Sequence, residues 1–418
     1  MAVEHPVTPS VRFWHLAERL SPGSTNLGRD RIAPPGLDTA ALRQALDLVV
    51  ARHEMLRSAI RRSRQRHGGW RALYLDYKIV PGAPTPPTIT ELEALDDSWS
   101  ERVPFNLARP PLLGVRVAPY EDRVLVGLRV PHCATDGWSM ELIWRDLARF
   151  YDCVSRGVEP DLTPVPGFGE RARRQFEARE AGDLDRHLRF WEQHLGGATS
   201  PALPPVPAGR QKDAVMTQVA RAPTVADEDA VRLIARRHRV TAFSVVMAAY
   251  LTALHRVFSW DEIVLQVAML NRSADEHEIV GSFATVGLLR FPQVGDQPFE
   301  QLLRQAFTSV AQGMSHGSVT AAEALDPAGW EQLLTSQVAI RGEATAAAED
   351  LFGWARPAAP PPQRRTMGGT ETDVVVEVVT RGPQTELSLT VSLRTVTEER
   401  AEALLQELVS VLGSAAGA

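Results

Sequence analysis

The sequence predicts an α/β protein of α+β layers arranged in two lobes, and three observations carry that reading. The chain has 418 residues, too many for one ordinary core, since domains run to roughly 100–200 residues. Helical and strand-like periodicities interleave in both halves, which favours α/β layers over a sandwich or a bundle. Between the halves lies EPDLTPVPGFG, residues 159–169, whose Pro and Gly content marks a boundary. The expected lobes are residues 1–165 and 166–418.

Taken in order, residues 37–57 place Leu42, Leu46, Val49 and Val50 at amphipathic helical spacing, with Asp38 or Thr39 as N-cap. Residues 112–130, LLGVRVAPYEDRVLVGLRV, read as a β-hairpin around a turn at Pro119 to Asp122, with Val124, Val126, Leu128 and Val130 on one face. PHCATDGWSM, residues 131–140, follows where the second strand stops. Ile143, Leu147, Phe150, Tyr151 and Val154 then return to helical spacing, so the order is strand, short loop, helix. In the second half, HLRFWEQHLGG (187–197) is a polar helix that the paired Gly ends. ALPPVPAGRQKD (202–213) is loop, residues 241–258 form an apolar helix, EIVLQVAML (262–270) is strand-like, and TDVVVEVVT and TELSLTVSL are alternating strands. ARPAAPPPQRRTMGG (355–369) is a long loop.

Composition narrows the function class. With 44% apolar and 23% charged residues the chain is an ordinary globular protein. A net charge of −6 gives no reason to expect a nucleic-acid partner, although the Arg-rich stretches 61–71 and 232–240 can meet a small acidic protein or serve as solvated faces. Two cysteines exclude a disulfide framework and suit a reducing cytoplasm. MAVEHPVTPS is no signal peptide, and the window 241–254 has the length of a buried helix rather than of a membrane span. A cytoplasmic protein without membrane partners is expected.

His132, Asp136 and Gly137 form an H-x-x-x-D-G pattern that occurs by chance in roughly one such chain in twenty. A neutral imidazole at a strand end can accept a proton near pH 7, and a core histidine bonded to a carbonyl is the alternative. Asp136 is a partner for His132 or a structural carboxylate, while Gly137 suggests a tight bend with positive φ. Metal binding lacks further ligands nearby, so no metal is expected. Cys133 as a nucleophile is disfavoured, because adjacent side chains on extended backbone diverge; it reads as a small filler.

The stretch PHCATDGWS resembles the HHxxxDG signature of nonribosomal peptide synthetase condensation domains, in the superfamily that also holds chloramphenicol acetyltransferase. Further landmarks fall in that family's order: TPSVRFWHLAERL (8–20), RHEMLRSAI (52–60), RFWEQHLGGA (189–198), NRSADEHEIVGSFATVGLLR (271–290) and DQPFEQLLRQ (296–305). The resemblance implies two chloramphenicol acetyltransferase-like lobes in a V-shaped pair with a central tunnel. It implies His132 as the catalytic residue, acting as base or by positioning, with Asp136 paired to Arg272 and Gly137 in the turn as structural support. Cys133, Trp138, Ser139, Ser282 and Phe283 become tunnel-lining candidates. The implied donor is an acyl or aminoacyl thioester on the phosphopantetheine of a carrier protein, or on CoA, and the acceptor an amine or alcohol. No cofactor bound by the chain itself is implied. The start of the helix after the motif offers backbone N–H groups to a developing negative charge.

This chain departs from the pattern at Pro131, which replaces the first His of the signature, and at Ser10, Ala284 and Val286. DLFGW (350–354) is faintly similar to the DFGWG motif of plant acyltransferases, or is a loop aromatic on the core. The ends, Met1 and GSAAGA, favour a freestanding enzyme. Three functions follow: an amide- or ester-forming condensation enzyme, a lipid or polyketide ester acyltransferase, and a catalytically inactive domain that recruits a carrier.

Overall fold

Local signals set the element ends in the computed structural model, which describes residues 3–93, 103–201, 203, 216–221, 225–325, 338–344, 350–351, 353–355, 373–381, 384–393 and 395–417. β1 (His5–Pro6) leads to α1 (Pro9–Leu20), where the Thr8 side chain accepts the Val11 N–H and Pro9 sits in the first turn, where a missing N–H costs nothing. Gly23, at φ 80°, turns the chain into β2 (Asn26–Ile32). Asp38 caps α2 (Thr39–Arg52) by accepting the Ala40 and Ala41 N–H groups, and the helix buries Leu42, Leu46, Val49 and Val50 as its spacing predicts.

β3 (Ser58–Arg62), α3 (Arg71–Leu75), β4 (Tyr77–Pro81) and β5 (Ile89–Glu91) precede the hairpin of β6 (Gly114–Tyr120) and β7 (Arg123–Pro131). The hairpin is tighter than expected: Pro119 pairs with Val124 inside the ladder, and the turn is Glu121–Asp122, with Glu121 at φ 53°. Leu125 and Gly127 are buried together with Val126, Leu128 and Val130, because β7 is an inner strand covered on both faces. α4 (Gly137–Ser155) and α5 (Phe168–Ala181) follow.

These elements belong to one compact unit, the described residues of Met1–Asp183 with Arg272–Ala284 and Ala348–Pro361. Its larger sheet runs, from one edge, through the short strands Asp350–Leu351 and Trp354–Ala355 to β2, β7, β6 and β5. A small sheet orders β1, β4 and β3. The core joins α2 and α4 to the inner face of the sheet, with Leu46, Val126, Leu128, Ile143, Leu147 and Phe150 fully buried. Trp354 is buried beside Trp144, ring centroids 5.7 Å apart. The stretch 159–167 is loop, as expected, but the unit continues past it through α5.

The second unit, the described residues of Leu184–Asn271, Thr285–Ala347 and Pro362–Ala418, contains α6 (Asp185–Leu195), β8 (Met216–Arg221), α7 (Val225–His238), α8 (Ala242–Phe258), β9 (Ile263–Met269) and β10 (Thr285–Phe291). It continues with α9 (Phe299–Ser315), α10 (Ala321–Ala324), β11 (Val338–Ala344), β12 (Val374–Arg381), β13 (Gln384–Ser392) and α11 (Glu398–Gly417). The sheet order is β10, β9, β11, β12, β13, β8, with β11 parallel to both neighbours. Gly197, at φ 69°, follows the end of α6. Residues Val245 to Leu251 of α8 are buried throughout, and no single described helix is long and apolar enough to cross a membrane. Except for Leu203 and Ala355, the expected loops 202–213 and 355–369 lie outside the described residues, as does Phe352 of DLFGW.

Candidate active site

His132 stands where the β2–β7 ladder ends. Asn26 pairs with Pro131 in the last strand register, and the next rung is a single bond from the His132 backbone N–H to the Thr25 carbonyl, 3.0 Å. Proline has no N–H of its own to offer at that point. The turn then closes with the Ala134 N–H on the Pro131 carbonyl at 2.8 Å.

The His132 ring is held in two ways. Nδ1 lies 2.9 Å from the Thr135 carbonyl oxygen, which can only accept, so Nδ1 carries a proton and, whenever the ring is neutral, the lone pair is on Nε2. The indole of Trp14 stacks on the ring, centroids 3.8 Å apart and planes 8° apart. Trp14 lies in the α1 segment that resembles the family's opening motif, yet nothing in the local pattern ties it to His132.

Asp136 does not touch this ring through any bond of its carboxylate. It is fully buried, and as N-cap of α4 it accepts the Ser139 N–H at 2.8 Å. The Arg272 Nη2 reaches both oxygens, at 3.0 and 3.2 Å, and the backbone N–H groups of Phe283 and Ala284 complete the set at 3.0 and 3.2 Å. Arg272 Nη1 donates to the carbonyls of Glu276 and Ile279, and its guanidinium lies 3.8 Å from the Phe283 ring centroid. Five donor contacts and one cation are what a buried carboxylate needs. Asp136 thereby ties the start of α4 to the 272–284 segment. Ser139 adds to the knot: its Oγ accepts from Arg272 at 2.6 Å and donates to the Gly281 carbonyl at 2.8 Å.

Two expectations change here. Gly137 has no positive φ and opens α4 as its first residue, because Asp136 starts the helix with extended backbone as a cap rather than making a bend. At the N-terminus of α4 the Asp136 carboxylate itself accepts the Ser139 N–H and places a negative charge there. Of the lining candidates, Cys133, Ser139, Ser282 and Phe283 have at most 1% of their surface exposed; they pack behind the loop rather than facing open space. Trp138 is half-buried, its indole donating to the His277 carbonyl at 2.9 Å.

Burial also pushes the Cys133 thiol up, with the charge of Glu18 adding to the effect, so no thiolate is available for nucleophilic chemistry. Ser10 bonds Ser282 Oγ at 3.0 Å and the Ala284 carbonyl at 2.8 Å, fastening α1 to the same 282–284 segment. Val286 lies in β10 of the second unit.

A second buried network braces α4 along its length. Asp146, fully buried, accepts from Arg52 Nε at 2.9 Å, Arg145 Nε at 3.0 Å and His53 Nε2 at 3.0 Å. Burial opposes ionisation of Asp146, but the His53 bond and the two arginine charges win and hold its carboxyl at about 2. Burial lowers the His53 pKa against the pull of Asp146. Of these residues Arg52 and His53 belong to the RHEMLR segment, which packs against α4. Among the described residues no group of three or more His, Cys, Asp or Glu is placed to hold a metal.

The family model of the Condensation domain matches residues 31–325, more than half of the chain. Phosphinothricin tripeptide synthetase PhsC of Streptomyces viridochromogenes is 28% identical over 348 residues, covering 78% of this chain and 31% of that synthetase. Chondramide synthase cmdD of Chondromyces crocatus is 26% identical over 299 residues, 67% of this chain and 7% of that protein. The chain thus spans under a third of the length of these relatives. Among solved structures, the condensation domain of the monacolin K polyketide synthase MokA aligns with a TM-score of 0.80 at 20% identity, over 99% of this chain and 98% of that one. The epimerization domain TycB3(E) of tyrocidine synthetase B gives 0.79 at 14%, over 100% and 98%. The X-domain from teicoplanin biosynthesis gives 0.77 at 20%, over 99% and 95%.

Proposed function

We propose that this chain, which belongs to the condensation-domain family, is an acyltransferase. In this reading it joins an acyl or aminoacyl thioester, carried on the phosphopantetheine of a carrier protein or on CoA, to an amine or hydroxyl by an amide or ester bond. The single observation that carries it is the bond of His132 Nδ1 to the Thr135 carbonyl. That bond fixes the tautomer whose Nε2 accepts a proton, the requirement for a general base acting on the nucleophile.

In the proposed reaction the acceptor N–H or O–H donates to His132 Nε2 while its heteroatom attacks the thioester carbonyl. The tetrahedral intermediate then collapses, breaking the C–S bond. The pantetheine thiolate leaves and takes the proton back from the imidazolium. Asp136 serves this chemistry at a distance, by holding the loop and the start of α4 on Arg272. Mass spectrometry of an acyl-loaded carrier incubated with this protein and a panel of amines and alcohols tests the reading: a new amide or ester supports it.

Pro131, which stands in place of the first signature histidine, favours one other reading, a domain that binds a carrier without turning it over. Tight carrier binding with no product from any donor and acceptor pair supports that reading instead.

A further inference from the structure

Glu18 is a buried carboxylate for which the chemistry above has no task. It lies on the inward face of α1 and is 4% exposed. One oxygen accepts the Gly23 backbone N–H and the other the Thr25 hydroxyl, both at 2.6 Å. Among the described residues no cation pairs with it. A carboxylate is costly to bury on two neutral donors, and an apolar side chain closes a helix onto a sheet at lower cost.

Both bonds end on the turn that sets His132. Ser21 to Thr25 folds through Gly23 at φ 80°, and the Thr25 carbonyl at its end accepts the His132 backbone N–H at 3.0 Å. Thr25 is itself 6% exposed, so water does not compete for these groups. One helical turn earlier on α1, Trp14 stacks on the His132 ring. α1 therefore reaches His132 twice, at the ring through Trp14 and at the main chain through Glu18 and Thr25. The Cys133 thiol, one residue on, feels the Glu18 charge in addition to its own burial.

We infer that Glu18 is a positioning residue for His132: by binding Gly23 and Thr25 it fixes the carbonyl that anchors the His132 main chain, and so keeps Nδ1 on Thr135 and Nε2 as the acceptor. The inference rests on the reading of His132 as the acyl-transfer residue. A misplacement of about 1 Å at such a group costs on the order of 100-fold in rate, which gives a buried, unpaired carboxylate a reason to be kept.

The test is NMR of the ring. Protein labelled with 15N-histidine is compared as wild type, Glu18→Gln, Glu18→Ala and Thr25→Val, with the His132 signals identified by their loss in His132→Asn. Circular dichroism selects the folded variants, and Glu18→Gln, which keeps the side-chain shape, serves if Glu18→Ala does not fold. Turnover of the acetyl thioester of N-acetylcysteamine with a primary amine is followed in parallel. Wild type is expected to show a single Nδ1–H tautomer. The variants are expected to show a mixed or exchange-broadened ring and a kcat lowered about 10- to 100-fold, with KM little changed. Folded variants whose His132 ring signals match wild type overturn the inference. A ring that loses its fixed tautomer while turnover stays at the wild-type level upholds the positioning role and overturns the assignment of His132 instead.

Discussion

The indole of Trp14 lies flat against the imidazole of His132, with 3.8 Å between centroids and 8° between planes. The contact covers one face of the ring and leaves its edge nitrogens to the hydrogen bonds, so it sets orientation without consuming the lone pair on Nε2. Stacking of this kind contributes about 0.5–1.5 kcal/mol, enough to select one ring orientation. Trp14→Leu is expected to fold and to lower kcat about tenfold, whereas Trp14→Phe retains most of the activity. Equal turnover in wild type and Trp14→Leu counts against the contact as a means of orientation.

Asp136 is expected to matter for stability before chemistry. Removing one partner of a buried pair costs roughly 3–5 kcal/mol, because the remaining charge is left uncompensated; here Arg272 loses its counter-charge and the N–H groups of Ser139, Phe283 and Ala284 lose an acceptor. Urea unfolding of Asp136→Ala should show a midpoint well below wild type. A variant of wild-type stability without activity contradicts the structural role and points to direct chemistry.

Gly137 offers a separation of fold from function. Its φ is ordinary, a Cβ would meet nothing within 4 Å, and it opens a helix. Glycine costs roughly 0.8–1 kcal/mol against alanine in a helix interior, so Gly137→Ala is expected to be as stable as wild type or slightly more so. The fold gives no reason for glycine here, and lost turnover in this stable variant assigns the open space to substrate. A destabilised Gly137→Ala contradicts the geometry.

What is legible in the sequence is local. Asp38 as a cap, the apolar stripe of α2, the strand–loop–helix order around His132 and the Gly stop after α6 follow from side chains within a turn or two of one another. The Asp136–Arg272 pair spans 136 positions and comes only from the family resemblance. Trp14 against His132, and Glu18 acting through Thr25, are not legible. Helical spacing says which face of α1 turns inward but not which loop it meets. The bend expected at Gly137 fails because an Asp-Gly step serves equally in a turn and at a helix start, and only the backbone distinguishes them. That the segment 272–284 belongs with the first unit depends on long-range packing that no local pattern encodes.

Acid should weaken the fold through its buried histidines. Burial, aided by the charges of Arg19 and Arg12, lowers His15 from 6.5 to about 4, and burial lowers His53, His187, His194 and His316 as well. Between about 6.5 and about 4 the unfolded chain binds the His15 proton and the folded chain does not. Unfolding therefore takes up protons, and stability falls as pH drops through that window and is fully present above it. Asp146, held at about 2, stays ionised throughout. Urea midpoints should be lower at pH 5 than at pH 7.5, and His15→Gln should reduce the difference. Equal midpoints at the two pH values contradict the buried neutral state.

His132 Nε2 is left as proton acceptor by the Nδ1 bond to Thr135, and the proposed acyl transfer turns on that one atom. The most direct measurement is product formation, by mass spectrometry, from an acyl-loaded carrier protein and an amine or alcohol panel, comparing wild type with His132→Ala at matched fold. A positioned base contributes on the order of 10² to 10⁴ in rate, so His132→Ala is predicted to lose at least about 100-fold in turnover while its circular dichroism and unfolding midpoint stay near wild type. A folded His132→Ala that forms product at near wild-type rate would contradict the role of His132 as the base.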